Sequence, residues 1–434
     1  MNHDTAMNHI TDLCAFLNAS PVNFWAVETV RQRLEEQGFS RLDMGQAWDI
    51  EPGSRHYVVQ NGSAIFAFVA GTGSPRKGFN IIAAHSDSPG FRVKPRAEIP
   101  CEGGAVKLNT EVYGGPILYT WFDRPLSLAG RVALRGSSPL RPDIRLMRVD
   151  RPMLTIPHLA IHFNRAVNEG NPLSKQKDML PVIALDCPKP KGLVRMLISE
   201  SLDVDPDAIL DYDLSLYDTT PAATIGLENE MLSSGRLDDL SMVHAALTAL
   251  LDKADEPSDY TRVMAIFDNE ETGSGTKQGA GSPILEHILR RIVTAAGGTD
   301  DDYLRAVADS FLISADDAHG LHPNYVEKQD PTNHPVLGGG PCIKVNANCK
   351  YMTDADSAAV FRSLCDIADV PCQYFVNHSD VAGGSTLGNI LTSQIPLRGV
   401  DMGAPVWAMH SVRETASTFD HTATIAAFSA FFAQ

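Results

Sequence analysis

Apolar residues recur at two different periods along this chain, and the switch between them marks out its parts. Between residues 5 and 39 the spacing is helical, with Phe24, Val27, Val30 and Leu34 on one face and Gly38 as a stop. Two β-like runs follow, 57–59 and 64–70, joined through Asn61-Gly62, a dipeptide suited to a tight hairpin turn. Residues 78–84 are apolar throughout, as expected of a strand covered on both faces. From about 91 to 233 the texture changes. Short β-like runs such as 105–108 and 126–135 are separated by Gly, Pro and Ser, with few long helical periods. That stretch predicts an inserted, mostly β domain.

After Arg236-Leu237-Asp238-Asp239 the alternation of helix and strand returns. The pattern predicts a helix over 240–254, a strand over 261–267, a helix over 280–297 and a strand over 310–315. It continues with a strand over 342–345, a helix over 353–368, a short strand over 374–376 and the Gly-rich loop 382–386. A strand over 395–400 and a closing helix over 413–431 complete it. This is the pattern of a doubly wound α/β domain, in which ligands bind beyond the carboxyl ends of the strands. The boundaries that follow are 1–92 for the first part of the α/β domain, 93–233 for the β-rich insert and 234–434 for the second part.

Composition narrows the function without naming it. The 434 residues are 44% hydrophobic and 21% charged, ordinary values for a globular protein. A formal net charge of −17 argues against nucleic acid or an anionic membrane as partner, since either needs a basic face. The seven cysteines are few, odd in number and not in C-x-x-C pairs, which points to free thiols in a reducing compartment. Met1-Asn2-His3-Asp4 has no basic segment before an apolar core, and stretches such as 242–251 are too short to cross a bilayer. The expectation is a cytoplasmic enzyme.

The chemistry concentrates at predicted strand ends. The strand over 261–267 runs into Asp268-Asn269-Glu270-Glu271-Thr272-Gly273. Adjacent glutamates on extended chain point in different directions, so one can bind a metal while the other handles a proton. A solvated acidic loop would read the same way in isolation. Four more strand ends or following loops carry ligand-type residues: His85, Asp238, Asp316 and His410. Two imidazoles and three carboxylates suit two zinc-like ions roughly 3.5–4 Å apart, with one carboxylate bridging. Asp87 is placed to accept the other N–H of His85. Glu270 is placed to take a proton from a water and return it to a leaving amine.

His85-Ser-Asp-Ser-Pro-Gly, Arg236-Leu-Asp238-Asp-Leu, Asp268-Asn-Glu270-Glu271-Thr-Gly-Ser, Ser314-Ala-Asp316-Asp-Ala-His319 with His322-Pro-Asn-Tyr325, and Ala408-Met-His410-Ser stand in this order. Together they resemble the M18 metallopeptidases, the aspartyl aminopeptidases. The resemblance implies a dizinc α/β catalytic domain interrupted by a β-rich dimerisation domain, and tetrahedral dodecamers built from dimers. It implies two Zn²⁺ per subunit, with Mn²⁺ or Co²⁺ as possible substitutes, and removal of N-terminal Asp or Glu from peptides. Asp238 would bridge the ions, His85 and Asp316 would hold one, and Glu271 and His410 the other. Glu270 would be the acid/base group, with Asp87 behind His85. Ile156-Pro-His158-Leu-Ala-Ile-His162 also resembles the family, one histidine of which, more readily His162, reaches a neighbour's site. The sequence departs from the family pattern at Asp239, where Asn is common, and at Ala382-Gly383-Gly384-Ser385.

Lys344 lies in the apolar run Gly340-Pro-Cys-Ile-Lys-Val. Read alone, it is an edge-strand Lys facing water. The resemblance instead makes Lys344 and Tyr351 the lining of a pocket for the substrate's acidic side chain. Two other functions remain as alternatives: a dizinc deacylase of N-acyl amino acids, and a non-catalytic scaffold. The first would share the ligands but not the segment 156–162 or the Lys344 region. The second would have lost Glu270 or a ligand.

Overall fold

The central strands are apolar at consecutive positions because both of their faces are buried. In Thr261–Phe267, Met264 and Ile266 enter one core while Val263, Ala265 and Phe267 enter the other. Phe79–His85 and Ala64–Val69 divide their side chains in the same alternating way. The structure, a computed structural model, describes residues 3–73 and 75–434. The part of the expected leader-free N-terminus formed by Met1 and Asn2 lies outside the described residues. The chain folds as two compact units.

The first unit runs to Asp87 and takes in Ala222–Met409 and Glu414–Gln434. Its large sheet has the strand order 40–41, 55–60, 64–69, 261–267, 79–85, 311–315, 398–403, 342–345 and 373–376. The strands 261–267, 79–85, 311–315 and 398–403 run parallel to one another, with 64–69 and 342–345 added antiparallel on either side. One face packs on helices through Leu13, Val27, Leu240, Phe361 and Phe428, the other through Ile288, Tyr303 and Leu387. This is the doubly wound arrangement expected. Phe267 pairs with His85, and Ala315 with Met402, so the carboxyl ends align along one edge. A smaller sheet joins 223–225, 231–234, 414–417, 405–407 and 318–319.

The second unit comprises Ser88–Pro221 and the short return His410–Arg413. It is a six-stranded sheet in the order 141–148, 126–138, 209–218, 90–100, 106–113 and 182–184, packed on the helix Leu193–Leu202 around Phe91, Leu128, Ile198 and Leu214. The units divide at 87/88 and 221/222. Residues 222–233, read from sequence as part of the insert, carry strands of the first unit's smaller sheet, because Met231–Ser234 pairs with Glu414–Ser417.

Several elements differ from their sequence reading for local reasons. The single helix over 5–39 is two, His3–Ala19 and Asn23–Glu36, separated at Ser20-Pro21-Val22. Pro21 offers no N–H and pushes the residue before it out of helical space. The helix Asp300–Ala308 was hidden by its three leading aspartates, which instead serve its N-terminus. Thr299 and Asp302 there form a reciprocal capping box. The closing helix starts at Thr418, since Glu414–Ser417 is strand.

The face packed by Phe66 gives a stability prediction. Its ring meets Phe267 edge-on at 5.2 Å, and both side chains are fully buried. Phe66→Ala is expected to cost about 3–5 kcal/mol, read as an earlier midpoint in a urea titration.

Candidate functional site

The carboxyl edge of the large sheet gathers acid groups from four separate stretches of chain. His85 is the last residue of Phe79–His85 and is 1% exposed. Its Nδ1 donates to the Asp87 carbonyl oxygen at 3.0 Å, and its Nε2 lies 3.2 Å from Asp238 Oδ1. Asp238 and Asp239 sit at the start of Leu237–Asp252 in non-helical conformation, before the regular helix begins. Arg236 anchors that turn by donating to the carbonyl oxygens of Ser20 and Leu17. The Asp238 amide donates to Glu414 Oε2 at 3.2 Å, and the His85 amide to Asp239 Oδ2 at 3.0 Å.

Asp316 follows the strand Phe311–Ala315. A Cβ on Gly403 would stand 2.0 Å from the Asp316 carbonyl oxygen, so only glycine lets the neighbouring strand pass this turn. One ligand-type atom from each of His85, Asp238, Asp239 and Asp316 lies within 4.8 Å of the others. The same holds for His85, Glu270 and Glu271. Asp239 therefore joins the group that the sequence reading built from Asp238. Asp317 turns away and accepts from Ser241 Oγ at 2.9 Å.

The two glutamates are set by their backbone. Asn269 takes a left-handed conformation (φ 62°), which Asn tolerates better than most residues, and the chain turns into Glu270–Thr272. Asp87 then accepts both following amides, Glu270 N at 3.1 Å on Oδ1 and Glu271 N at 3.2 Å on Oδ2. Gln278 Nε2 and Thr276 Oγ1 hold the Asn269 side chain at 2.7 and 2.9 Å.

So many buried carboxylates distort one another's titration. Burial raises the Asp239 and Asp317 carboxyls well above the usual range, and neighbouring carboxylates add to it. Burial pushes Glu270 up to about 8; His85 opposes this, while Asp316, Glu271 and Asp238 reinforce it. Burial works against a charged His85, but Asp239, Asp238 and Asp87 outweigh it and raise its pKa well above the ordinary imidazole value.

Lys344 is not on an edge. Its strand, Cys342–Val345, lies between 398–403 and 373–376, and the side chain is 3% exposed. Its Nζ lies 3.3 Å from Asp316 Oδ2 and 5.7 Å from the centre of the Tyr351 ring. Burial disfavours the ammonium, yet Asp316 and Tyr351 more than restore it. Tyr351 packs with Ala318, Cys342 and Phe375 in a small cluster. Phe375 and Glu414 were missed from sequence: the first sits in a strand of four residues, the second inside a stretch read as helix.

The other three histidines of the predicted site, His158, His162 and His410, belong to the second unit. His410 Nδ1 donates to the Gly115 carbonyl oxygen at 3.0 Å, from a left-handed backbone (φ 69°). His158 rests on Phe122, ring centres 4.5 Å apart, and its amide donates to Asp123. His162 is exposed in a turn beside Ile161 and Phe163, themselves exposed. All seven cysteines are free thiols. No helix among the described residues is long and apolar enough to cross a membrane.

The donor set fits divalent cations. Asp239 Oδ1 is buried without a hydrogen-bond partner among the described residues, a costly state that positive charge in the cage relieves. One imidazole among several carboxylates suits zinc or a similar ion. With acid/base-type glutamates beside the cage, at the ligand edge of a doubly wound sheet, fold and site define a metal-dependent hydrolase.

Comparison with known proteins narrows that class. A family model described as "Aminopeptidase I zinc metalloprotease (M18)" matches residues 16–432. A Clostridium novyi protein named "Probable M18 family aminopeptidase 2" is 48% identical over 424 residues, 97% of this chain and 98% of that protein. The solved structure of the Ape4 and Nbr1 complex contains a chain with a TM-score of 0.95 and 35% identity, covering 99% of this chain and 86% of that one. The S. cerevisiae mApe1 dodecamer gives 0.88 at 24% identity over 100% and 98% of the two chains. The chain belongs to the M18 family and is a metalloaminopeptidase. The deacylase and scaffold alternatives find no support among these relatives.

Proposed function

We propose that this aminopeptidase removes N-terminal Asp or Glu from peptides with two zinc ions, and that Lys344 selects the acidic side chain. The observation that carries the reading is the buried Lys344 ammonium, 3.3 Å from Asp316 at the rim of the carboxylate cage. A carboxylate entering such a site must meet a cation, because an unpaired buried charge is expensive. When Asp316 serves a metal ion, Lys344 keeps its charge for the substrate.

His85 and Asp316 are proposed to hold one ion, Asp238 to bridge, and Glu271 and His410 to hold the other. The role of His410 rests on the family's motif pattern. When bound, the ions polarise the scissile carbonyl and make a nucleophile available at neutral pH. Glu270 takes a proton from the attacking water and delivers it to the leaving amine. Asp87 keeps Glu270 and Glu271 in register through their amides and orients His85. Tyr351 lines the pocket beside Lys344. His162, with His158 near it, is proposed to reach the site of a neighbouring chain. Self-association into a tetrahedral dodecamer, with the β-rich unit making dimer contacts, belongs to the same proposal; the mApe1 structure of similar fold is itself that of a dodecamer.

Kinetics on matched Asp, Glu, Asn and Leu anilides, with metal content measured in parallel, test the reading. The expected result is two ions per chain, loss of both ions and activity on chelation, and recovery with Zn²⁺, Mn²⁺ or Co²⁺. Asp or Glu should exceed Leu in kcat/KM by roughly 100-fold or more. Full activity in metal-free protein would reject the metal role, and equal rates on all four substrates would reject the acidic pocket.

A further inference from the structure

A second buried carboxylate near Lys344 belongs to neither the cage nor the acid/base loop. Asp401, in the strand Arg398–Gly403, is 0% exposed. That strand runs antiparallel to Cys342–Val345, with Cys342 opposite Gly403 and Ile343 opposite Met402. One step further places Lys344 opposite Asp401, so the two side chains leave the same face of the sheet. Asp316 approaches Lys344 from the turn after its strand, while Asp401 faces it across the sheet.

Asp401 also holds both segments beside that pair. Its Oδ2 accepts the Met352 amide at 2.6 Å, directly after Tyr351. Its Oδ1 accepts Thr386 Oγ1 at 2.7 Å, directly after the Gly383-Gly384-Ser385 loop. The Asp401 amide donates to Thr353 Oγ1 at 2.9 Å, a second tie to the Tyr351 segment. Thr386 is the N-cap position of Leu387–Gln394 but makes no side-chain cap of its own; its hydroxyl goes to Asp401 instead. A Cβ on Gly388 would stand 2.6 Å from either Asp401 carboxylate oxygen, so the carboxylate fills the space that glycine leaves in the first turn. An anion there is favoured by the helix dipole.

We infer that Asp401 is a positioning residue for acidic-substrate selection, fixing Lys344, the Tyr351–Thr353 segment and the Thr386 loop relative to one another. This rests on the proposed reading of Lys344. A buried carboxylate requires several donors, and here one comes from the Tyr351–Thr353 segment, one wall of the proposed pocket, and the other from the Thr386 loop, taken as a second. Neutralising it loosens two walls at once and removes a charge that faces the ammonium. The residue touches no reacting atom, so the loss falls on recognition of the acidic side chain.

The test is Asp401→Asn, which keeps the size of the side chain, with Thr386→Val as a milder second variant. Each is assayed as metal-loaded enzyme on Asp and Leu anilides. For Asp401→Asn the Asp-over-Leu ratio of kcat/KM is expected to fall roughly 10–100-fold, carried mainly by KM for the Asp substrate. For Thr386→Val the same ratio falls about 3–10-fold. Loss in equal proportion on both substrates, or an unmoved ratio, overturns the inference. If Asp401→Asn does not fold, Thr386→Val decides by the same ratio. A wild type without acidic preference sinks the pocket reading and this inference together. A wild-type preference that survives both substitutions sinks the inference alone.

Discussion

Glu270→Gln keeps its metal and loses roughly two to four orders of magnitude in kcat, while Glu271→Gln loses metal first. Neighbouring residues part company here because their amides share one anchor: Asp87 accepts both, so a side-chain change at 270 leaves the backbone of 271 in place. Glutamine at 270 preserves shape and removes the ability to accept a proton. Glutamine at 271 weakens a donor to a cation instead, and its activity recovers as metal is added back. The measurement is metal content beside single-turnover rates for both variants. Equal metal loss in the two would show the roles to be wrongly divided.

The second large effect belongs to Lys344. Lys344→Met fits the apolar surroundings and removes the cation. Asp-peptides should lose about 2–5 kcal/mol of transition-state binding, some one and a half to three and a half orders in kcat/KM, because their carboxylate enters a desolvated site unpaired. Leu substrates should lose far less, so the gap between the two narrows. Asp316 loses its partner in this variant, so metal content must be measured in the same samples. An unchanged ratio of Asp to Asn substrates would take Lys344 out of the pocket.

Much of this was legible in the sequence where burial and period coincide. Strands apolar on both faces announced the sheet core, and the polar residue ending each strand announced the carboxyl edge, as with His85 and Asp268. What stayed hidden depended on contacts between distant segments. Glu414 could not be read as support for Asp238 until Glu414–Ser417 proved to be strand rather than helix. Asp401 falls just past the strand predicted over 395–400, and its donors at Met352 and Thr386 come from loops whose course no periodicity predicts. Pro21 was a clear break that a strong helical pattern on either side concealed. In the second unit, strands such as Ile209–Asp218 carry too many charged and polar positions for their alternation to stand out.

The four stretches that form the cage come from residues 85, 238–239, 270–271 and 316, spread through the chain and interrupted by an entire second unit. No two of its distant donors meet until the parallel strands that carry them have found their register. Pairings of this kind form late and slowly, because loop closure must precede any gain. An unfolded or half-assembled chain therefore has no cage with which to capture an ion. Metal binding can reward only the finished sheet, and so acts as a seal on a fold that the apolar strands must first complete by themselves.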